Sequence, residues 1–121
     1  TLVELKRQGV TSIVVSNKVN SLIELSMKRF GISDLIANIY GVVPDRKAKP
    51  HSDVFDISIS KDYSDIPTDK ILMVGDTIID QTFAANANVA FCFAEHGYGT
   101  TDSSLPVQHR VNKFSELLKL V

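Results

Sequence analysis

No apolar run in this 121-residue chain approaches the ~18 residues that a membrane-spanning helix needs, so a helical span is excluded and no membrane partner is expected. Charge of one sign is equally scarce. Thirteen Lys and Arg stand against fourteen Asp and Glu, a formal net charge of −1. A nucleic-acid binder would carry a basic surplus or stripe, which argues against that class of partner. Cysteine occurs once, at Cys92, so no internal disulfide can form. In the run Val89-Ala90-Phe91-Cys92-Phe93 it reads as a small buried apolar residue in a reducing compartment, which points to a cytoplasmic protein. An initiator Met is lacking too. The chain opens inside a helical stretch closed by Gly9, and further chain is expected ahead of Thr1.

What is present is the composition of a globular α/β domain, 44% apolar and 22% charged. β-branched runs alternate with amphipathic stretches, the pattern of a parallel sheet covered by helices. Strands are expected at Ser12–Ser16, more weakly at Leu35–Tyr40, clearly at Ile71–Gly75, and last at Val89–Phe93. The first and third are apolar enough to expect burial on both faces. Between them, Val19, Leu22, Ile23 and Phe30 fall on one helical face, with Asn20 or Ser21 as cap, a Ser21–Glu24 capping box and Gly31 as the stop. The stretch Asp53–Ser60 fits either a strand or a helix. Helix is favoured, because Pro50 and Ser52 suit its start and a parallel strand needs a crossover before it. A short helix over Gln81–Asn88, a loop over Glu95–Leu105 and a helix over Phe114–Leu120 complete one domain, residues 1–121.

Three constellations stand at strand ends or in adjoining loops, where open α/β sheets bind ligands. Ser16-Asn17-Lys18 follows the first strand; a hydroxyl and backbone N–H groups at a helix start can hold phosphate oxygens, although a Ser there is also an ordinary cap. Lys49-Pro50 offers a compact cation on a restricted loop, or a merely solvated one, since Arg46 and Lys47 lie beside it. Gly75-Asp76-Thr77-Ile78-Ile79-Asp80 puts two carboxylates four residues apart beyond a buried strand. Hard oxygens so placed suit Mg²⁺, which takes one or two carboxylates with water and substrate phosphate. The plain alternative is an acidic loop with Asp80 capping a helix.

In order and approximate spacing these segments resemble the second, third and fourth signatures of the haloacid dehalogenase superfamily, chiefly Mg²⁺-dependent phosphatases. The likeness is to its phosphoglycolate-phosphatase-like branch. Ile13-Val-Val-Ser-Asn-Lys18, Lys49-Pro-His-Ser-Asp-Val-Phe55 and Ile71-Leu-Met-Val-Gly-Asp-Thr-Ile-Ile-Asp80 carry the resemblance over nearly the whole chain. Two departures stand out. Asn88 replaces a usual Gly, which is minor because Asn tolerates positive φ. The first signature, Asp-x-Asp-Gly-Thr, is lacking, since no two of the ten aspartates are spaced by two.

The resemblance implies a Rossmann-like three-layer α/β sandwich whose parallel sheet is incomplete at its first strand. It implies a phosphatase acting on a small phosphate monoester through an aspartyl-phosphate, with the nucleophile and general acid/base outside this chain. Ser16 and Asn17 would bind the phosphoryl group, and Lys49 would neutralise it. Asp76 would ligate Mg²⁺, with Asp80 supporting the metal shell, through water or by orienting Lys49. Substrate choice would belong to a cap outside the chain. The chain alone is expected to be inactive, and the missing N-terminal segment or another chain is expected to complete the sheet. The strands at Ser12–Ser16 and Ile71–Gly75 should then have a segment between them or show a repaired order. A phosphomutase or dehalogenase on the same scaffold, or a non-catalytic interaction module, are the rival readings. Of the remaining residues, His51, His96 and His109 read as loop histidines, Tyr98 as a loop-packing aromatic, and Phe83, Ala84 and Ala87 as core.

Overall fold

Five short strands, every pair parallel, organise the chain, and the computed structural model describes all of residues 1–121. The order is α1 (Leu2–Arg7), β1 (Ile13–Val15), α2 (Asn20–Arg29), β2 (Asn38–Tyr40), a π-helix Val54–Ile59 running into the single turn α3 (Ser60–Asp62), β3 (Leu72–Gly75), α4 (Ile78–Ala87), β4 (Ala90–Ala94), β5 (His109–Val111) and a closing 3₁₀ helix, Phe114–Lys119. No helix is long and apolar enough to cross a membrane.

Period-2 alternation along the strands builds two separate apolar layers. Met73, Phe91 and Phe93 point to the larger one, where they meet Val54, Phe55 and Ile59 of the π-helix and Phe83, Ala84 and Ala87 of α4. Leu72, Val74 and Cys92 point the other way, to Val111 and to Leu117 of the closing helix. Helix, sheet and helix thus form the three layers expected. Cys92 is fully buried, and burial pushes its thiol pKa up, as suits an inert core residue.

The sheet comes in two pieces. β1 pairs with β2 alone, while β3, β4 and β5 form a second sheet in that order. β1 and β3 therefore each keep one edge without a hydrogen-bonded neighbour, although Ile13, Val15 and Met73 pack against the same core cluster. Within the chain no segment lies between them and the strand order is unaltered, so both edges stay open. Nor are the two strands buried on both faces. Every residue of β1 and β3 is only half-buried, because an unpaired edge leaves a strand open to solvent along that side.

Several local expectations are corrected. The buried stripe of α2 is Ile23 and Met27, an i, i+4 pair, whereas Val19, Leu22 and Phe30 are exposed. A ten-residue helix against a two-stranded sheet has room for one narrow contact line. No side chain caps α2, and Asn20 instead accepts the Gly41 N–H at 2.7 Å, which ties the helix start to the end of β2. Within the ambiguous stretch Asp53–Ser60, helix is what forms over Val54–Ile59, in π rather than α winding. Leu35 belongs to a 3₁₀ turn, so β2 is shorter than expected. α4 starts at Ile78, before Gln81, and ends at Ala87, capped by Asn88 at φ 56°, the left-handed conformation its side chain tolerates. β5 is an additional strand; only Val111 of its three residues is buried, and so short a half-exposed strand leaves little pattern in the sequence. The C-terminal helix is 3₁₀ and stops at Lys119.

Polar side chains fasten these pieces. The buried Tyr40 hydroxyl donates to the Asp62 carboxylate at 2.8 Å, clamping β2 to α3. Burial, then that bond, pushes the Tyr40 phenol well above its ordinary pKa. Gln81, 1% exposed, accepts the Asp102 N–H at 2.7 Å and donates to the Asp102 and Leu105 carbonyls. This one amide holds the far end of the long loop after β4.

Candidate active site

The loops that leave β1 and β3 meet through Lys49. The Asn17 side chain, two residues beyond β1, donates to the Lys49 carbonyl at 3.0 Å and accepts the Lys49 N–H at 2.9 Å. That reciprocal pair sets the backbone of Lys49, whose peptide to Pro50 is cis. The Lys49 ammonium then reaches Asp80 Oδ1 at 2.6 Å, with only 9% and 11% of the two side chains exposed. An ion pair this dry is oriented tightly, because neither charge has water as an alternative partner.

Asp80 Oδ2 is also occupied. It accepts from the Asp76 N–H at 3.2 Å, the Thr77 N–H at 3.2 Å and the Thr77 hydroxyl at 2.9 Å. Thr77 is the N-cap of α4, and Asp80 completes a reciprocal capping box. Gly75 makes this possible, since a Cβ there would run into the Asp80 side chain. The N-cap is thus Thr77 and not Asp80, which sits three residues on, closes the box and holds Lys49. The Thr77-x-x-Asp80 spacing carried that signal in the sequence.

Asp76 differs. One oxygen, Oδ2, accepts the Tyr98 N–H at 3.0 Å, and the half-buried carboxylate has no cation of the chain beside it. Ser16, at the end of β1, is half-buried; its hydroxyl accepts the Lys18 N–H at 3.1 Å, a local turn at the helix approach. The basic loop is less solvated than its composition suggested. Arg46 donates to Ser58 at 2.6 Å and to the Gly41 carbonyl at 2.9 Å, so it braces the π-helix, and a small cleft runs from Ser16 and Asn17 past Arg46 to Lys49. His51 is a half-exposed loop residue beside Asp53. Tyr98 is corrected: its ring is wholly exposed and packs on nothing, while its backbone N–H is what touches the site.

Residues 1–94 match the haloacid dehalogenase-like hydrolase family. The chain belongs to that family. Solved structures agree in fold. A predicted phosphoglycolate phosphatase from Haemophilus somnus superposes with TM-score 0.86 at 27% identity, over 98% of this chain and 53% of that one. A HAD-superfamily hydrolase, subfamily IA, variant 1, from Geobacter sulfurreducens gives 0.80 at 22%, over 99% and 56%. A HAD-hydrolase from Bacillus subtilis bound to magnesium gives 0.83 at 16%, over 98% and 52%. The chain thus spans about half the length of these relatives. No curated protein matches it.

Within this haloacid dehalogenase-like fold, the donor set fits Mg²⁺ in part. Asp76 Oδ1 takes no hydrogen bond from the chain, leaving a hard anionic oxygen at the strand end. Asp80, with both oxygens engaged, is placed to hold Lys49. No group of three His, Cys, Asp or Glu side chains is gathered anywhere in the chain. Mg²⁺ needs no such cage, because water and substrate phosphate fill most of its octahedron.

Proposed function

We propose that this chain is the core part of a Mg²⁺-dependent cytoplasmic phosphatase that hydrolyses a small phosphate monoester through an aspartyl-phosphate. A segment outside the chain, filling the open edges of β1 and β3, would complete the sheet and carry the nucleophile. The observation that carries the reading is the dry Lys49–Asp80 pair, tied through Asn17 to β1 and through the Thr77 capping box to β3. It presents one fixed cation between two strand ends, which is what phosphoryl transfer asks of a protein: position and neutralise.

In this reading Ser16 donates its hydroxyl to a phosphoryl oxygen. The Asn17 side chain is spent on Lys49, so Asn17 serves the phosphate through its backbone N–H. Lys49 neutralises the phosphoryl charge while Asp80 keeps its ammonium aimed. Asp76 holds Mg²⁺, which when bound supplies further charge neutralisation at the phosphate; Asp80 supports that shell through the Asp76 N–H it accepts.

The test is phosphate release by the full-length protein from a panel of small phosphate monoesters, with halide release and phosphoryl transfer measured in parallel. Release that needs Mg²⁺ and falls about 100-fold or more in Lys49→Ala supports the reading. A parent that releases halide or transfers phosphoryl groups instead, or does neither, overturns it.

A further inference from the structure

Asp76 is pressed from a segment far along the chain. A Cβ at Gly97 would collide with the Asp76 Cβ, Cγ and Oδ2, and one at Gly99 would collide with the Asp76 carbonyl oxygen and crowd Thr77. Neither glycine lies at positive φ, so what these two positions require is missing volume and not backbone freedom. Between them, Tyr98 gives its N–H to Asp76 Oδ2 at 3.0 Å while its ring stays wholly exposed. The segment is anchored at both ends. Gly97 N–H bonds the Ala94 carbonyl at the end of β4, and Gln81 of α4 grips Asp102 and Leu105. A strap fastened to the strand and the helix on either side of the site therefore leans on one carboxylate.

The consequence is asymmetric. Oδ2 is occupied and its flank is walled, whereas Oδ1 receives no hydrogen bond from the chain. We propose that Gly97-Tyr98-Gly99 is a positioning element that fixes Asp76 as a one-oxygen ligand for its divalent cation. This rests on the reading of Asp76 as the metal ligand. A carboxylate offered through one oxygen suits the small octahedral Mg²⁺. Ca²⁺ readily takes carboxylates through both oxygens and higher coordination numbers. The strap thus also favours the smaller cation. In Gly97→Ala the added methyl must displace either the Asp76 side chain or the strap, and both break the Tyr98–Asp76 bond.

The test follows amide signals of the ¹⁵N-labelled full-length protein during separate titrations with Mg²⁺ and Ca²⁺. In the parent, Mg²⁺ should shift the Gly75–Thr77 amides while Tyr98 keeps its protection from hydrogen exchange through saturation. Gly97→Ala should lose that protection, need at least 10-fold more Mg²⁺ for half-saturation, and narrow or reverse the preference for Mg²⁺ over Ca²⁺. A change in fold stability alone would not move that ratio. Two results overturn the proposal while leaving Asp76 a ligand: Tyr98 protection that collapses in the parent when Mg²⁺ binds, or a folded Gly97→Ala with parental affinity and preference. If Gly97→Ala does not fold, the parent's Tyr98 protection decides alone. Mg²⁺ that shifts no amide near Asp76 in the parent overturns the ligand reading and the strap with it.

Discussion

Removing one partner of the Lys49–Asp80 pair should cost far more than removing both. At the 2.6 Å separation, the gross attraction at an effective dielectric near 20 is about 6 kcal/mol. Most of that is offset by the desolvation of two side chains about nine-tenths buried. Lys49→Met keeps most of the apolar stem of the side chain but leaves Asp80 charged. The three donors that remain on Asp80 Oδ2 soften the loss, which is expected near ~3 kcal/mol. Asp80→Asn keeps the shape and one carbonyl acceptor but strands a buried ammonium, at about 3–5 kcal/mol. Either is a large share of the roughly 5–15 kcal/mol by which ordinary domains are stable. The double variant, with no buried charge left, should lose less than either single variant, hence at least about 3 kcal/mol less than the sum of the two losses. Urea denaturation of the full-length protein and its three variants, read at constant slope, gives the cycle. The pair is sheltered, so the coupling should persist in about 1 M salt, where an exposed pair would fade. Losses that add within about 0.5 kcal/mol would refute the claim that these charges depend on each other.

Three further outcomes follow from other parts of the fold. Phe91→Ala, at a position 1% exposed in the larger apolar layer, should cost about 3–5 kcal/mol by chemical denaturation, and a loss below about 1 kcal/mol would contradict that packing. Gln81→Leu should cost about 1–3 kcal/mol by orphaning the Asp102 N–H and two carbonyls, and protease should cut between Glu95 and Pro106 faster than in the parent. Stability should fall as pH rises from about 9, near the ordinary thiol value. Cys92, Tyr40 and Tyr63 all have pKa values raised in the folded chain, by burial first. The native state therefore binds protons that the unfolded state has already released, and stability present below the ordinary thiol and phenol values is lost above them. Tyr40→Phe should flatten the upper part of that decline in thermal melts across pH, and an unchanged slope would show that Tyr40 does not contribute.

Local chemistry is legible in the sequence wherever a residue's own neighbours decide its state. Parallel strands show as apolar runs, so Ile13–Val15, Leu72–Gly75 and Ala90–Ala94 can be read directly, although only the last is largely buried. Asn88 is expected to accept a left-handed turn, and Cys92 to lie in the core, from residue type and immediate context. Ser16, Lys49, Asp76 and Asp80 stand out because chemistry-bearing residues at strand ends are where an open α/β sheet works. Those properties repeat along the chain at short range, and sequence holds them.

Tertiary structure alone decided who meets whom. Two carboxylates four residues apart look equivalent in sequence, yet Asp80 spends both oxygens on Lys49 and the turn at Thr77, while Asp76 keeps one. The difference comes from Lys49, thirty-one residues before Asp80, and from Tyr98, twenty-two after Asp76. Asn17 likewise turns to the Lys49 backbone, which no spacing could reveal. The face of α2 escapes the sequence for the same reason: periodicity marks several apolar stripes, and only the surface it lies against selects Ile23 and Met27 over Leu22 and Phe30. Hydrophobic pattern marks most of the elements, because hydrophobicity is a property of one residue. Hydrogen-bond partners and packed faces are properties of pairs, and pairs distant in the chain exist only once it has folded.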